Sequence, residues 1–221
     1  PFIGSSVTFP KPVSPRLKEA FENECFKKTL NFQNIDSEIQ PYSGMNIAIS
    51  FGGGIDSSAV REVFPEAIVI HEAHIKEGEL VRSHAHEVVN NLPNDRGHVV
   101  ASNQRYVSTP GGWHGWTCST LTSVLMATDF NIGLILTGSI LGSTLLSNGK
   151  GYWDRFRARG WHGPTGNYWQ SAFQKVGIPM FSPMTGASEF ITMDASLKLL
   201  GKNEVVSVSY THLRAHETHE N

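Results

Sequence analysis

The sequence predicts an α/β domain with a mostly parallel central sheet and helices on both of its faces. Short apolar runs of strand length alternate with stretches of helical periodicity, the pattern of stacked βαβ units. One of these junctions, "AISFGGGIDSSAV" from Ala48 to Val60, passes from strand to helix through three consecutive glycines. At 221 residues and 39% hydrophobic content, the chain can bury one full core.

Each element is read from its local pattern. Asn46 to Phe51 is a buried strand, and a helix follows from about Ser57 to Val63. Ala67 to Glu72 ("AIVIHE") is the second strand and closes a βαβ unit. Glu79 to Asn90 fits a helix, His98 to Asn103 a third strand, Cys118 to Phe130 an apolar helix and Gly133 to Thr137 a fourth strand. Asn167 to Val176 adds a helix and Pro179 to Ser182 a short last strand; Ala187 to Leu200 is helical, with Gly201 as its stop. Leu141 to Gly166, rich in Gly, Trp and Arg and weak in periodicity, reads as a long loop beside the site.

The expected organisation is an N-terminal segment over 1–44, a principal domain over 45–207 and an extraneous tail over 208–221. "VSYTHLRAHET", Val208 to Thr218, looks like a translated transposase-type sequencing adapter, and with His219 this tail holds three of the ten histidines. A chain that opens on Pro1 is expected to be a piece of a longer protein.

Charge and cysteine content narrow the function classes. With 18 basic against 20 acidic residues there is no polybasic field to bind nucleic acid or an anionic membrane. Cys25 and Cys118 lie far apart without zinc-type spacing, which fits a reducing, cytoplasmic compartment. No apolar run approaches the ~18 residues needed to span a bilayer. The expected partner is a small anionic molecule; the sequence does not address oligomeric state.

The glycine loop carries the chemistry. A bare turn between strand and helix exposes successive N–H groups at the helix N-terminus, where the macrodipole also favours an anion. Glycine lets a phosphate oxygen approach the backbone and tolerates positive φ. Ser57 and Ser58 add hydroxyls. Asp56 would repel a bare phosphate, so its presence makes sense with a divalent cation between carboxylate and polyphosphate, such as Mg2+. Three rivals compete. The GK[ST] phosphate loop is absent, since no lysine follows the glycines. A dinucleotide fingerprint would use Gly52, Gly54 and Ser57, with Glu72 as the ribose-binding acid. A plain helix cap at Asp56 or Ser57 does not explain three glycines.

"GGGIDSS", Gly52 to Ser58, resembles the SGGxDS signature of the PP-loop ATP pyrophosphatases. That resemblance implies a HUP-type three-layer sandwich that binds MgATP and cleaves it between the α and β phosphates to adenylate a substrate. By the same resemblance, Gly53 and Gly54 would hold the pyrophosphate through their amides, Asp56 would place Mg2+ and Ser57 would donate its hydroxyl. The family's first serine falls on Gly52 here, and Ser50 is the candidate to replace its hydroxyl. "LTGS", Leu136 to Ser139, puts Gly138 and Ser139 where the family often has a second small-residue motif beside the nucleotide; an ordinary strand-to-loop turn is the alternative. Residues around His71 to His74 would then stand near the adenine edge or the α-phosphate.

A second resemblance spans roughly Asn46 to Thr192. "SFGGGIDSSAV", "FPEAIVIHEAH" and "SPMTGASEFIT" are similar to the ATP-dependent UDP-N-acetylmuramoyl-L-alanyl-L-glutamate epimerases of some bacteria. This implies an adenylated glutamate whose α-proton is acidic enough for a protein base, because adenylation of the carboxylate removes the adjacent negative charge. Reprotonation from the other face and hydrolysis would release AMP and the inverted residue, in peptidoglycan precursor synthesis. Other PP-loop activities, amide-forming or tRNA-modifying, share the first step.

Further candidates are weighed against plainer roles. His71, His74, His84 and His86 are close in sequence, but His84 and His86 are two apart and point to different sides of a helix, unlike ligands at i, i+4. "PGGWHGWTCST" places His114 near Cys118, a thiol at a helix start and so a candidate base or nucleophile; a small core residue is the commoner fate of a lone cysteine. Arg155, Arg157 and Arg159 lie among aromatics and could clamp a diphosphate or carboxylate, or be solvated.

Overall fold

The computed structural model describes residues 6–25, 29, 31–76, 78–81, 83–102, 116–138, 146–147, 150–151 and 173–200. Near the N-terminus, β1 (Ser6–Val13) and β2 (Asn31–Ile35) pair in parallel, with α1 (Pro15–Glu19) between them capped by the Ser14 side chain. Phe9, Phe21 and Phe32 pack together here, Phe9 stacking on Phe32 at 5.7 Å. The segment is tied to the rest of the chain: Lys175 pairs with Glu19 at 2.6 Å, and Tyr42 donates its hydroxyl to the Ala127 carbonyl at 2.8 Å.

Every apolar run between Asn46 and Ser182 read as a strand pairs into one sheet. The strands are β3 (Asn46–Ser50), β4 (Ile68–Lys76), β5 (Glu79–Leu80), β6 (Gly97–Ser102), β7 (Ile132–Leu136) and, after the two-residue hairpin strands β8 (Leu146–Ser147) and β9 (Lys150–Gly151), β10 (Met180–Phe181). All pairings between β3, β4, β6, β7 and β10 are parallel, and their spatial order is β6-β4-β3-β7-β10. Numbered along the chain this is 3-2-1-4-5, the order of a doubly wound sheet whose winding reverses between β3 and β7.

Helices cover both faces because β3, β4 and β7 are apolar on both. Ile49, Val69 and Leu136 face α2 (Ile55–Val63) and α3 (His84–Asn90), joined by Met184 and by Ala195 of the last helix, α5 (Glu189–Leu200). Ala48, Ile70 and Ile135 point the other way, against Leu121 and Val124 of α4 (Trp116–Leu125) and against Phe173 and Ile178. The arrangement is a mixed α/β fold compatible with a three-layer sandwich. Among the described residues no helix is long and apolar enough to cross a membrane.

Some boundaries differ from the sequence reading. Glu79 and Leu80 are not helical but pair antiparallel with Lys76 and Ile75, so the helix expected from Glu79 starts at His84, where Ser83 caps it. This capping bond competes with further N-terminal helix, as short polar side chains do. The second helix begins at Ile55 rather than Ser57, which puts Asp56 inside its first turn. The apolar helix expected to reach Phe130 ends at Leu125 and passes into turns.

Candidate functional site

The glycine loop leaves the carboxyl end of β3 and stands beside β7, at the point where the winding of the sheet reverses. Open α/β sheets bind ligands in the crevice this reversal creates. Phe51 anchors the loop, its N–H donating to the Ile70 carbonyl at 2.8 Å. Gly53 adopts φ +79°, and a Cβ there would lie 2.5 Å from that of Ala85 on α3, so both conformation and space require glycine. Gly52 differs: it is exposed, and a Cβ would meet nothing within 4 Å. Gly54 is the N-cap of α2 and offers no side chain to its amides. The first N–H groups of a helix lack intrahelical acceptors, so this end is built to receive an acceptor from elsewhere.

Within the first turn of α2, Asp56 is half-buried and Ser57 and Ser58 are buried. The Ser57 and Ser58 hydroxyls both donate to the Gly54 carbonyl, at 3.1 and 2.9 Å, which holds the turn closed. For Ser57 to reach a phosphate it must exchange that bond by a rotamer change. Ser50, the last residue of β3, is buried on the sheet face of Ala48, away from α2.

The fourth strand brings the second small-residue motif to the same place. Gly138 lies directly over the start of α2, where a Cβ would come within 2.7 Å of the Ser57 nitrogen and 3.0 Å of the Asp56 Cβ. Thr137 before it is braced by β10: its N–H donates to the Phe181 carbonyl and its own carbonyl accepts from Ser182 Oγ at 3.0 Å.

Residues outside the predicted set complete the surroundings of Asp56. Thr192, fully buried on α5, donates its hydroxyl to Asp56 Oδ1 at 3.1 Å. Ser196, one turn on, donates to the Ile55 carbonyl at 2.5 Å. The readable signal was the i, i+4 pair of hydroxyl residues, of which Thr192 is the last residue of "SPMTGASEFIT". A carboxylate oriented by a hydroxyl at a helix N-terminus fits a hard divalent cation such as Mg2+, which takes oxygen ligands.

His71 is a brace between loop and helix. Its Nδ1–H donates to the Phe51 carbonyl at 2.9 Å, so Nε2 is the acceptor and takes the Ser83 hydroxyl at 3.1 Å, while Ser83 Oγ accepts from the His86 amide. Burial pushes the His71 pKa down, partly offset by the bond to Phe51, with His86 and His74 adding to the decrease. With both ring nitrogens engaged by the protein, its position is that of a support for the loop.

The edge of β4 above the loop is also occupied. Peptide groups alternate in direction along a strand, so Ile70 and His74 point their carbonyls to the same edge. Phe51 fills that edge at Ile70; the Val81 N–H fills it at His74, at 2.8 Å. The strand β5 thus continues the lane that β3 leaves, and at His74 that edge of β4 is taken by the chain itself. Glu72, the acid a dinucleotide fold would offer to a ribose, is buried with His74 Nδ1 at 3.9 Å from its Oε1.

His84 and His86 are half-buried on α3, and among the described residues no group of three or more His, Cys, Asp or Glu side chains gathers as a metal site. Cys118 is the third residue of α4, at the helix start as expected; its side chain lies outside the described residues. His114, Ser139, the arginines Arg155, Arg157 and Arg159, and the tail from Val208 also lie outside them. No protein-family model and no curated protein matches the chain.

Proposed function

We propose that the chain is a HUP-type domain of the PP-loop kind, which binds MgATP at the glycine loop and adenylates a carboxylate, releasing AMP and diphosphate. The observation that carries the reading is the convergence of the uncapped first turn of α2, with Asp56 inside it, and Gly138 from β7 at the reversal point of the sheet.

Each part has a role in that chemistry. The amides of Gly53, Gly54 and the first turn of α2 hold the β and γ phosphates, supported by the helix dipole. Gly138, without a side chain, lets the end of β7 pack closely against the first turn of α2 at the mouth of the crevice. Asp56, oriented by Thr192, would hold Mg2+, which supplies charge neutralisation for the leaving diphosphate. The substrate carboxylate attacks the α-phosphorus, the bond to the bridging oxygen of the β phosphate breaks, and diphosphate departs with the electron pair. The acyl-adenylate carries no carboxylate charge, so its α-proton is open to a base.

On the strength of the three quoted segments, the specific substrate we propose is UDP-N-acetylmuramoyl-L-alanyl-L-glutamate, with inversion of the glutamate. The experiment is incubation of the full-length protein with labelled ATP and magnesium, with and without that compound, separating AMP from ADP and analysing glutamate chirality. AMP formation that depends on the compound, with D-glutamate in the product, supports the reading in full. AMP with another carboxylate or amide acceptor retains adenylation and removes the epimerase; ADP removes both.

A further inference from the structure

A second concavity lies at the amino ends of the parallel strands, the opposite end of the sheet from the glycine loop. Its volume is about 380 Å³, within the roughly 300–1,000 Å³ typical of small-molecule sites. Pro65, Ala67, Leu92 and Pro93 give it apolar walls. Three charged residues also line it: Arg61, Asp95 and Arg96.

The two arginines are in different situations. Arg96 is committed, paired with Glu66 at 2.5 Å and donating to the Pro65 carbonyl at 3.1 Å. The Arg61 side chain, in the last turn of α2, makes no hydrogen bond or ion pair with any described residue. Burial pushes its pKa down, against the opposing field of neighbouring Glu62. The helix dipole favours a cation at this end. A guanidinium nevertheless presents five donors in a planar fork suited to a carboxylate, and partial burial removes much of the water that would otherwise serve them.

We propose that this cavity binds a small monocarboxylate with an apolar body, the carboxylate forked by Arg61 and the body lying against Pro65, Leu92 and Pro93. A single charge is preferred because Asp95 shares the cavity and repels a phosphate dianion more strongly than a carboxylate. The inference is independent of the reading of the glycine loop.

The test is calorimetric titration of the full chain with 3-phenylpropionate and with the uncharged 3-phenylpropionamide, followed by methyl NMR to locate the site. The acid is expected to bind at least about tenfold more tightly than the amide, to shift the Ala67 and Leu92 methyl signals, and to lose its advantage in Arg61→Gln. Arg61→Lys, which keeps the charge without the fork, is expected to fall between the two. Equal affinity of acid and amide for the unaltered protein, shifts confined to other regions, unchanged binding in a folded Arg61→Gln, or no binding up to about 10 mM would each overturn the proposal. The first two comparisons need no variant, so misfolding of Arg61→Gln does not leave the question open.

Discussion

Gly138 sits so close to the first turn of α2 that a Cβ built on it would lie 2.7 Å from the Ser57 nitrogen. The obstacle is backbone, which cannot move aside as a flexible side chain can. Gly138→Ala is therefore expected to push β7 and α2 apart, at about 1–3 kcal/mol by the usual cost of overpacking. Urea denaturation measures that cost, and nucleotide binding by the same variant should fall more than its stability accounts for.

Gly52 and Gly53 are neighbours with opposite requirements. Gly53→Ala combines a left-handed backbone with a clash against Ala85, so a loss of more than about 2 kcal/mol is expected. Gly52→Ser meets open space and should stay within about 0.5 kcal/mol of the parent. Under the proposed function the new serine restores the hydroxyl of the loop signature, and ATP affinity should rise. Paired denaturation curves for the two variants separate these effects.

Thr192 orients Asp56 from α5 through a hydroxyl. Thr192→Val keeps the shape and removes the donor, which should cost about 1 kcal/mol and lower AMP formation. Thr192→Ser should recover the activity, because it restores the donor while still lacking the methyl group. Loss in Thr192→Ser with little in Thr192→Val would mean that packing rather than orientation is what Thr192 supplies.

The His71 brace predicts a pH dependence. Its folded pKa is depressed below the unfolded value, so the unfolded chain takes up the proton first. The stabilising contribution is complete above the unfolded pKa of about 6.5 and declines as pH falls from there toward the lower folded value. Urea midpoints between neutral pH and mildly acidic conditions should drop less steeply in His71→Gln than in the parent. A parallel drop in both would show that His71 does not titrate in this window.

Much of the central sheet was legible because each strand is a short apolar run bounded by turn residues, and because parallel strands buried on both faces need no alternation. The loop was legible for a chemical reason: three glycines beside an acid have little purpose in a core. Thr192 and Ser196 were harder to see, since a contact between residues 136 positions apart, as for Thr192 and Asp56, depends on where α5 docks and not on local pattern. The β5 hairpin was missed because Glu79 to Asn90 has helical composition, whereas pairing with the exposed edge of β4 decides the conformation of its first residues. His71 was read as near the nucleotide because it stands close to the carboxyl end of the strand expected over Ala67 to Glu72; the positions of Phe51 and Ser83 reveal that both its nitrogens are engaged.

The most direct test of the account is the phosphate product of ATP turnover by the full-length protein and by Asp56→Asn, with magnesium and UDP-N-acetylmuramoyl-L-alanyl-L-glutamate present. The parent is expected to yield AMP and diphosphate, and a folded Asp56→Asn to lose at least about a hundredfold of that rate, or roughly 2.7 kcal/mol of transition-state stabilisation. ADP and orthophosphate as products, or AMP formation that is indifferent to Asp56, would contradict it.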